Sequence, residues 1–235
     1  MSNARKFIGA FNNIESEIKH KYNINKGVGF RKAINDVAIK NRIIAMNLQL
    51  LESYAELRNA IVHTEDEDFI IAEPHDDVVE KIKRLEELIL NPPKVIPMFQ
   101  SRVLSLESTD SIFSAINLMF ENDYSQIPIE ENDKFVGLLN SNTVTRWLGA
   151  VDKIIDKNGS MLIMNTDIKS VLQYAENDDN YQFINKDFYI DEVTDLFEKN
   201  RDIEALMITH SGNKNEKLLG IITVWDLVEI NRALM

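Results

Sequence analysis

The segment Gly220-Ile221-Ile222-Thr223-Val224-Trp225-Asp226-Leu227 joins a short β-branched run to the start of a helix. The run predicts a strand, and the pattern Val224–Ala233 predicts the helix that follows it. When an aspartate follows a threonine by three residues on the first turn of a helix, both side chains lie at the same end of that helix. A carboxylate and a hydroxyl so placed can bind polar groups of a ligand, and the helix amino terminus can face a phosphate.

The same two residues have a structural alternative. Thr223 can cap the last helix, with Asp226 as its partner at the third position of a capping box. Capping and binding are compatible, so both interpretations stay open.

The predicted elements before this segment occur twice in the same order. The second copy has a strand, a helix, two strands and the last helix: Gln182–Asn185, Asp191–Lys199, Ala205–Thr209, Leu218–Thr223 and Val224–Ala233. The first copy repeats that order: Val103–Leu106, Asp110–Glu121, Gln126–Ile129, Phe135–Leu139 and Ser141–Leu148. Each copy is too small to bury a good core alone, so we expect the two to pack against each other.

This repeat resembles the CBS motif, and the tandem pair resembles a Bateman module over residues 94–235. Residues 220–226 match the family pattern Gly-hydrophobic-hydrophobic-Ser/Thr-x-x-Asp. The resemblance implies that Thr223 and Asp226 bind an adenine nucleotide. It further implies that the ligand lies against Phe99, Leu104, Ile203, Ala205 and Gly220. AMP, ATP, cyclic di-AMP and S-adenosylmethionine all occur among ligands of such modules, and the sequence does not choose between them. No cofactor beyond this ligand and no metal are expected.

The first copy departs from this pattern. In Gly137-Leu138-Leu139-Asn140-Ser141-Asn142-Thr143, Asn140 stands at the Ser/Thr position and Thr143 at the aspartate position. We therefore expect one competent nucleotide site per chain. Arg146 can serve a phosphate or lie exposed, and Lys94, Arg102 and Lys217 are candidate bases at the entrance.

Residues 1–91 are dominated by apolar side chains three and four residues apart, which predicts a helix bundle. One helix is expected to carry Ile44, Leu48, Leu51, Ala55 and Val62, and another Val78, Ile82, Leu85 and Ile89. Pro74, Asp76 and Asp77 suit the first turn of the last helix, and Asn91-Pro92-Pro93 ends it. The predicted fold class is α+β: a helical domain at 1–91, and a CBS pair at 94–235 with motifs near 94–150 and 165–235.

The segment Leu57-Arg58-Asn59-Ala60-Ile61-Val62-His63 resembles the Arg-Asn-x-x-x-His signature of HEPN-like helical domains. Some members of that family are metal-independent ribonucleases, which implies Arg58 and His63 as catalytic residues with Asn59 in support. At about 100° per residue, however, Arg58 and His63 lie about 140° apart around the helix. The structural alternative is that these side chains bond within the bundle or across a dimer interface. We favour that alternative.

Composition limits the remaining classes. The net charge is −12, with +5 in residues 1–62 and −10 in residues 93–235, so RNA is possible but not favoured as a partner. The absence of cysteine excludes disulfides and thiolate sites. No signal peptide or apolar span is evident, and a cytoplasmic protein that does not enter a membrane is expected.

These patterns together predict a regulatory protein in which a CBS pair senses an adenine nucleotide. The helical domain would dimerise or engage a protein partner, and a homodimer is implied by the resemblance alone. Two alternatives stay open. One is a nucleotide-regulated ribonuclease, and the other is a structural adaptor in which Phe99 or Trp225 fills the binding cleft.

Overall fold

The computed structural model describes residues 2–62, 72–151, 163–177 and 179–235. The chain forms two compact units. The first contains Met1–Lys94, Tyr189–Asp195 and Asp226–Met235, and the second contains Val95–Phe188 and Leu196–Trp225. Helices together with two small mixed sheets confirm the predicted α+β class. Residues 189–195 and 226–235 were expected within the second CBS motif, and they cluster with the helical residues.

Five helices of the first unit precede the double proline. They are α1 (Asn3–Lys21), α2 (Phe30–Ala38), α3 (Arg42–Met46), α4 (Leu48–Val62) and α5 (Asp76–Leu90). Their inward faces carry the apolar residues that the periodicity selected, including Leu51, Ile82, Leu85 and Ile89. Helix α5 has Asp76 and Asp77 in its first turn and Asn91 as its C-cap, as predicted, whereas Pro74 lies before the N-cap His75 and outside the first turn.

The prediction of one helix from Ile44 to Val62 is wrong, because the chain breaks at Asn47. The amide nitrogen of Asn47 bonds the Ile43 carbonyl at 3.2 Å, and its side-chain nitrogen bonds the same oxygen at 2.9 Å. Asparagine competes in this way for backbone groups and ends α3. Its own carbonyl then accepts the bond from the Leu51 amide that starts α4.

The second unit contains two sheets of three strands each. Strands β1 (Leu106–Glu107), β2 (Gln126–Glu131) and β3 (Lys134–Asn140) form the first sheet in that order, with β1 parallel and β3 antiparallel to β2. Strands β4 (Tyr181–Asn185), β5 (Ala205–Thr209) and β6 (Gly220–Thr223) repeat the arrangement. The repeat predicted from the sequence is therefore present in the pairing of the strands.

Helices accompany both sheets. Those between Val95 and Lys199 are α6 (Val95–Met98), α7 (Ile112–Asn122), α8 (Ser141–Val151), α9 (Ile168–Leu172) and α10 (Ile190–Lys199). After β6, a 3₁₀ turn (Val224–Asp226) leads into α11 (Leu227–Ala233). The last predicted helix thus begins with a tighter turn than expected.

The predicted strand Val103–Leu106 is also wrong in extent, since only Leu106 and Glu107 pair with β2. Val103 instead packs against an apolar cluster drawn from both motifs: Phe135, Leu138, Ala205, Met207 and Leu218. The side chain therefore serves the core between the two motifs, and burial there prevails over ladder pairing.

In the described part of the chain, no helix combines the length and apolar character that crossing a bilayer requires.

Candidate functional site

A cleft of about 360 Å³ opens in the second unit. Four short segments supply its walls: Ser125 and Gln126; Asn140, Ser141 and Asn142; Arg201, Ile203 and Glu204; and Thr223, Val224 and Trp225. The first two segments belong to the first motif and the last two to the second. A volume of this size falls at the lower end of pockets that hold small molecules.

The second motif contributes two of the predicted binding residues to the cleft. Thr223 ends β6, and Ile203 lies just before β5. Asp226 ends the 3₁₀ turn that follows Thr223 and is half-buried. As the residue before α11, Asp226 makes no side-chain bond to the first turn of that helix. A capping box formed by Thr223 and Asp226 stays a prediction.

Like Asp226, the other four predicted contacts are not among the residues that line the cleft. Ala205 is fully buried in β5, Leu104 is half-buried, and Phe99 is buried. Gly220 is covered by the backbone of Phe99, because a Cβ atom built on it would lie 2.0 Å from the Phe99 carbonyl oxygen. Contact between these four residues and a ligand stays a prediction.

The first motif uses its polar turn internally. The Asn140 side-chain oxygen accepts bonds from both the amide and the hydroxyl of Thr143, each at 2.7 Å. The Asn140 side-chain nitrogen donates to the two carboxylate oxygens of Glu204 at 2.9 and 2.7 Å. Asn140 and Thr143 are both buried. Asn140 and Thr143, which stand at the two positions that depart from the family pattern, therefore bond to protein atoms. Asn140 also joins the first motif to the second.

Glu204, Arg201 and Trp225 are three of the cleft residues that were not predicted as ligand contacts. The Glu204 carboxylate also accepts a bond from Asn180 at 3.3 Å, which fixes it at the floor. Arg201 is the one cation among the described lining residues. Trp225 is 80% exposed and presents its indole at the rim. Its position inside the Gly220–Leu227 segment was a usable signal, whereas nothing in the sequence singled out Arg201 or Glu204.

The basic residues proposed from the sequence have other positions. Arg146 donates from its Nε to the Tyr174 carbonyl at 3.1 Å and lies 3.8 Å from the Glu176 carboxylate. Arg102 and Lys217 are exposed and do not line the described cleft.

The helical unit has a separate cleft of about 380 Å³ that includes Arg58 and Asn59. The Arg58 Nη1 lies 3.4 Å from the Asn59 side-chain oxygen, a weak contact between neighbours. His63, the third residue of the predicted catalytic set, lies outside the described residues. The proposed pairing of Arg58 with His63 stays a prediction.

The CBS domain family model matches residues 97–150 and 163–232, which together make up more than half of the chain. The chain belongs to the CBS domain family. The two matched ranges contain the two sheets and every residue that lines the cleft of the second unit.

Solved structures of CBS proteins are similar to the second part of the chain. A Vibrio cholerae protein assigned to acetoin utilization is 24% identical, with a TM-score of 0.46, covering 61% of this chain and 93% of its own. The CBS pair of protein MJ0100, in complex with 5-methylthioadenosine and S-adenosyl-L-methionine, is 17% identical, with a TM-score of 0.44, and the match covers 59% of this chain and 95% of that one. CBSX2, in complex with AMP, is 14% identical, with a TM-score of 0.43, and the match covers 58% of this chain and 93% of that one. No curated protein matches significantly.

Proposed function

We propose that the CBS pair binds an adenine nucleotide in the cleft of the second unit and regulates the helical domain. The observation that carries the proposal is that Thr223, Ile203 and Trp225 line one cleft of ligand size. The hydroxyl of Thr223 at the end of β6 suits a phosphate or ribose oxygen, and Asp226 three residues later supplies the acceptor for ribose hydroxyls. The exposed indole of Trp225 provides a stacking surface for a base.

One cation accompanies these groups. The Arg201 guanidinium is suited to pairing with a phosphate because its planar set of donors matches the phosphate oxygens. The carboxylate of Glu204 accepts bonds from Asn140 and Asn180, which offsets part of its repulsion toward a phosphate. A single cation favours a ligand with few phosphates over a polyphosphate.

The adaptor alternative required a large side chain to fill the cleft. Trp225 is 80% exposed, and Phe99 is buried away from the described lining. Neither residue acts as the plug that the alternative requires, and this favours a cleft open to a ligand.

We further propose that α11 carries the signal. The chain that lines the cleft at Thr223–Trp225 continues directly into this helix. Within the first unit, the Asn47 side chain donates to the Leu234 carbonyl at 3.0 Å, and the Arg42 Nε to the Asn231 side-chain oxygen at 3.3 Å. A ligand that favours one position of the turn Val224–Asp226 would thereby favour one arrangement of these contacts, which is a population shift.

The experiment is a thermal-shift screen of the full chain against AMP, ADP, ATP, cyclic di-AMP and S-adenosylmethionine. A ligand at 100 times its Kd adds about 2.7 kcal/mol to the free energy of unfolding, so one of them should raise the midpoint by several degrees. Trp225→Ala should weaken binding of that ligand by about 5- to 150-fold through loss of stacking. The matched control is Phe120→Ala, which removes another exposed aromatic ring from α7. No shift with any ligand would contradict the proposal.

A further inference from the structure

The cleft of the helical unit combines an apolar floor with a basic rim. Its floor contains the buried rings of Phe11 and Phe30, whose centroids lie 4.6 Å apart, together with Ala55. Its rim carries three cationic side chains, Arg31, Lys32 and Arg58. Three positive charges around about 380 Å³ attract an anion, and the adjoining rings can receive an apolar group.

Arg58 supplies a second, independent observation. Its Nε is buried and has no hydrogen-bond partner among the described residues. A buried donor without a partner costs about 1–3 kcal/mol, and such groups in native proteins usually have a partner. A bound anion would satisfy this donor through the charge-assisted bonds that guanidinium groups form with phosphate oxygens.

Two carboxylates of the described residues near the cleft, Glu15 and Glu56, are already paired. Glu15, which lines the cleft, is paired with Lys19 at 2.7 Å. Glu56 is paired with Arg31, and both side chains of that pair are more than half exposed. Glu56 therefore competes directly with a bound anion for Arg31. An exposed ion pair of this kind is worth little and is readily exchanged.

We propose that this cleft binds a small phosphate monoester, with its phosphate between Arg31, Lys32 and Arg58 and its apolar part over Phe11 and Phe30. The N-cap Gly29 and the first three residues of α2 line the same cleft, and the positive end of that nine-residue helix adds to the attraction. A small ligand fits the volume. An extended polyanion is disfavoured by the net charge of −12 and by the four consecutive carboxylates at 65–68.

The test is calorimetric titration of the full chain with inorganic phosphate and with phenyl phosphate. Neither probe has a ribose, so the proposed contact of Asp226 with ribose hydroxyls does not contribute to their binding. Thr223→Ala should leave intact the component of binding that Arg58→Ala removes, which separates this site from the nucleotide cleft. Arg58→Ala and Lys32→Ala should each weaken binding by about tenfold or more. Phenyl phosphate should bind more tightly than phosphate because of the ring floor.

Two further variants test the proposal without removing a residue that lines the cleft. Glu56→Gln removes the competitor for Arg31 and should tighten binding several-fold. Arg84→Ala removes an exposed arginine of α5 outside this cleft and should leave affinity unchanged. Wild-type affinity in folded Arg58→Ala, or weaker binding in Glu56→Gln, would overturn the proposal. No binding of either probe at millimolar concentration would do the same. Binding confined to RNA, with affinity that rises with its length, would overturn the ligand class.

Discussion

Asn140 and Thr143 occupy, in the first CBS motif, the positions that Thr223 and Asp226 occupy in the second. Their side chains bond to each other at 2.7 Å, and Asn140 also holds Glu204 of the other motif. An amide has both a donor and an acceptor, so Asn140 can cap α8 and bond a carboxylate at the same time. In the first motif, the position that corresponds to Thr223 thus forms a contact between motifs. This supports the expectation of one competent site per chain.

Asp191 is a buried carboxylate of the first unit and is only 7% exposed. Its Oδ2 accepts a bond from Asn41 at 3.2 Å, whereas its Oδ1 has no partner among the described residues. Burial raises the pKa of Asp191 above its ordinary value, and the nearby charge of Lys21 opposes that rise in part. The charged form is therefore disfavoured in the folded state.

This rise predicts a pH dependence of stability. Because the folded pKa lies above the unfolded value, the contribution of Asp191 is fully present below the unfolded pKa. It is lost as pH rises through the folded pKa. Asp191→Asn should remove this acid-side dependence. Urea unfolding at a series of pH values measures it, with Asp36→Asn, an exposed carboxylate of α2, as control. Equal pH profiles of wild type and Asp191→Asn would contradict the assignment.

Gly220 has a structural requirement that its family position does not reveal. An added Cβ would meet the Phe99 carbonyl oxygen at 2.0 Å, a backbone atom that cannot rotate away. We expect Gly220→Ala to lower the free energy of unfolding by about 1–3 kcal/mol or more, as overpacking does. Denaturant unfolding provides the measurement. Gly149→Ala is the control, because no atom lies within 4 Å of its added Cβ and alanine favours helix α8. A neutral Gly220→Ala would show that the two segments separate readily.

At the scale of elements, Asn47 connects three helices of the first unit. It ends α3, begins α4, and donates from its side chain to the Leu234 carbonyl at the end of α11. Asn47 and Leu234 are both buried. The side chain therefore does more than interrupt a helix, because it also satisfies a terminal carbonyl of α11.

Asn47→Ala should lower the free energy of unfolding by about 1–3 kcal/mol, since it leaves a buried carbonyl without its donor. Chemical denaturation of the full chain measures this loss. Asn12→Ala, at an exposed position of α1, is the matched control and should change stability by less than about 0.5 kcal/mol. A loss no larger than that of the control would show that the Leu234 contact contributes nothing.

Most elements were predictable because their patterns depend on local periodicity. The limits of β5 agree with prediction at both ends, and α10 begins one residue early, at Ile190. The errors arise where tertiary contacts decide. Val103 joins the core between the motifs and leaves β1 with two residues, and Asn47 divides an apolar pattern that looks continuous.

The residues of the candidate site also divide into those that the sequence predicts and those that depend on tertiary contacts. Thr223 was identifiable because its motif fixes the residue types along a single segment. Arg201 and Glu204 were not, since their place in the cleft depends on how the loop before β5 meets the first motif. The spacing of residues within one segment does not predict how that loop packs against the first motif.

At the scale of the whole molecule, two clefts of similar volume lie in different units. The cleft of the CBS pair has one cation among its described lining residues, and the cleft of the helical unit has three. They should differ in what they recognise. We expect the first to depend on ribose and base contacts, and the second on phosphate charge. An adenosine compound without a phosphate therefore discriminates between them.

The central claim is that Thr223 and Asp226 form the nucleotide site, and the most direct measurement is calorimetric titration of Asp226→Ala. The titrant is the nucleotide that gives the largest thermal shift. If the carboxylate accepts two charge-assisted bonds from ribose, affinity should fall about 10- to 1000-fold while Arg58→Ala retains binding at the CBS cleft. Unchanged affinity in a folded Asp226→Ala protein would contradict the claim.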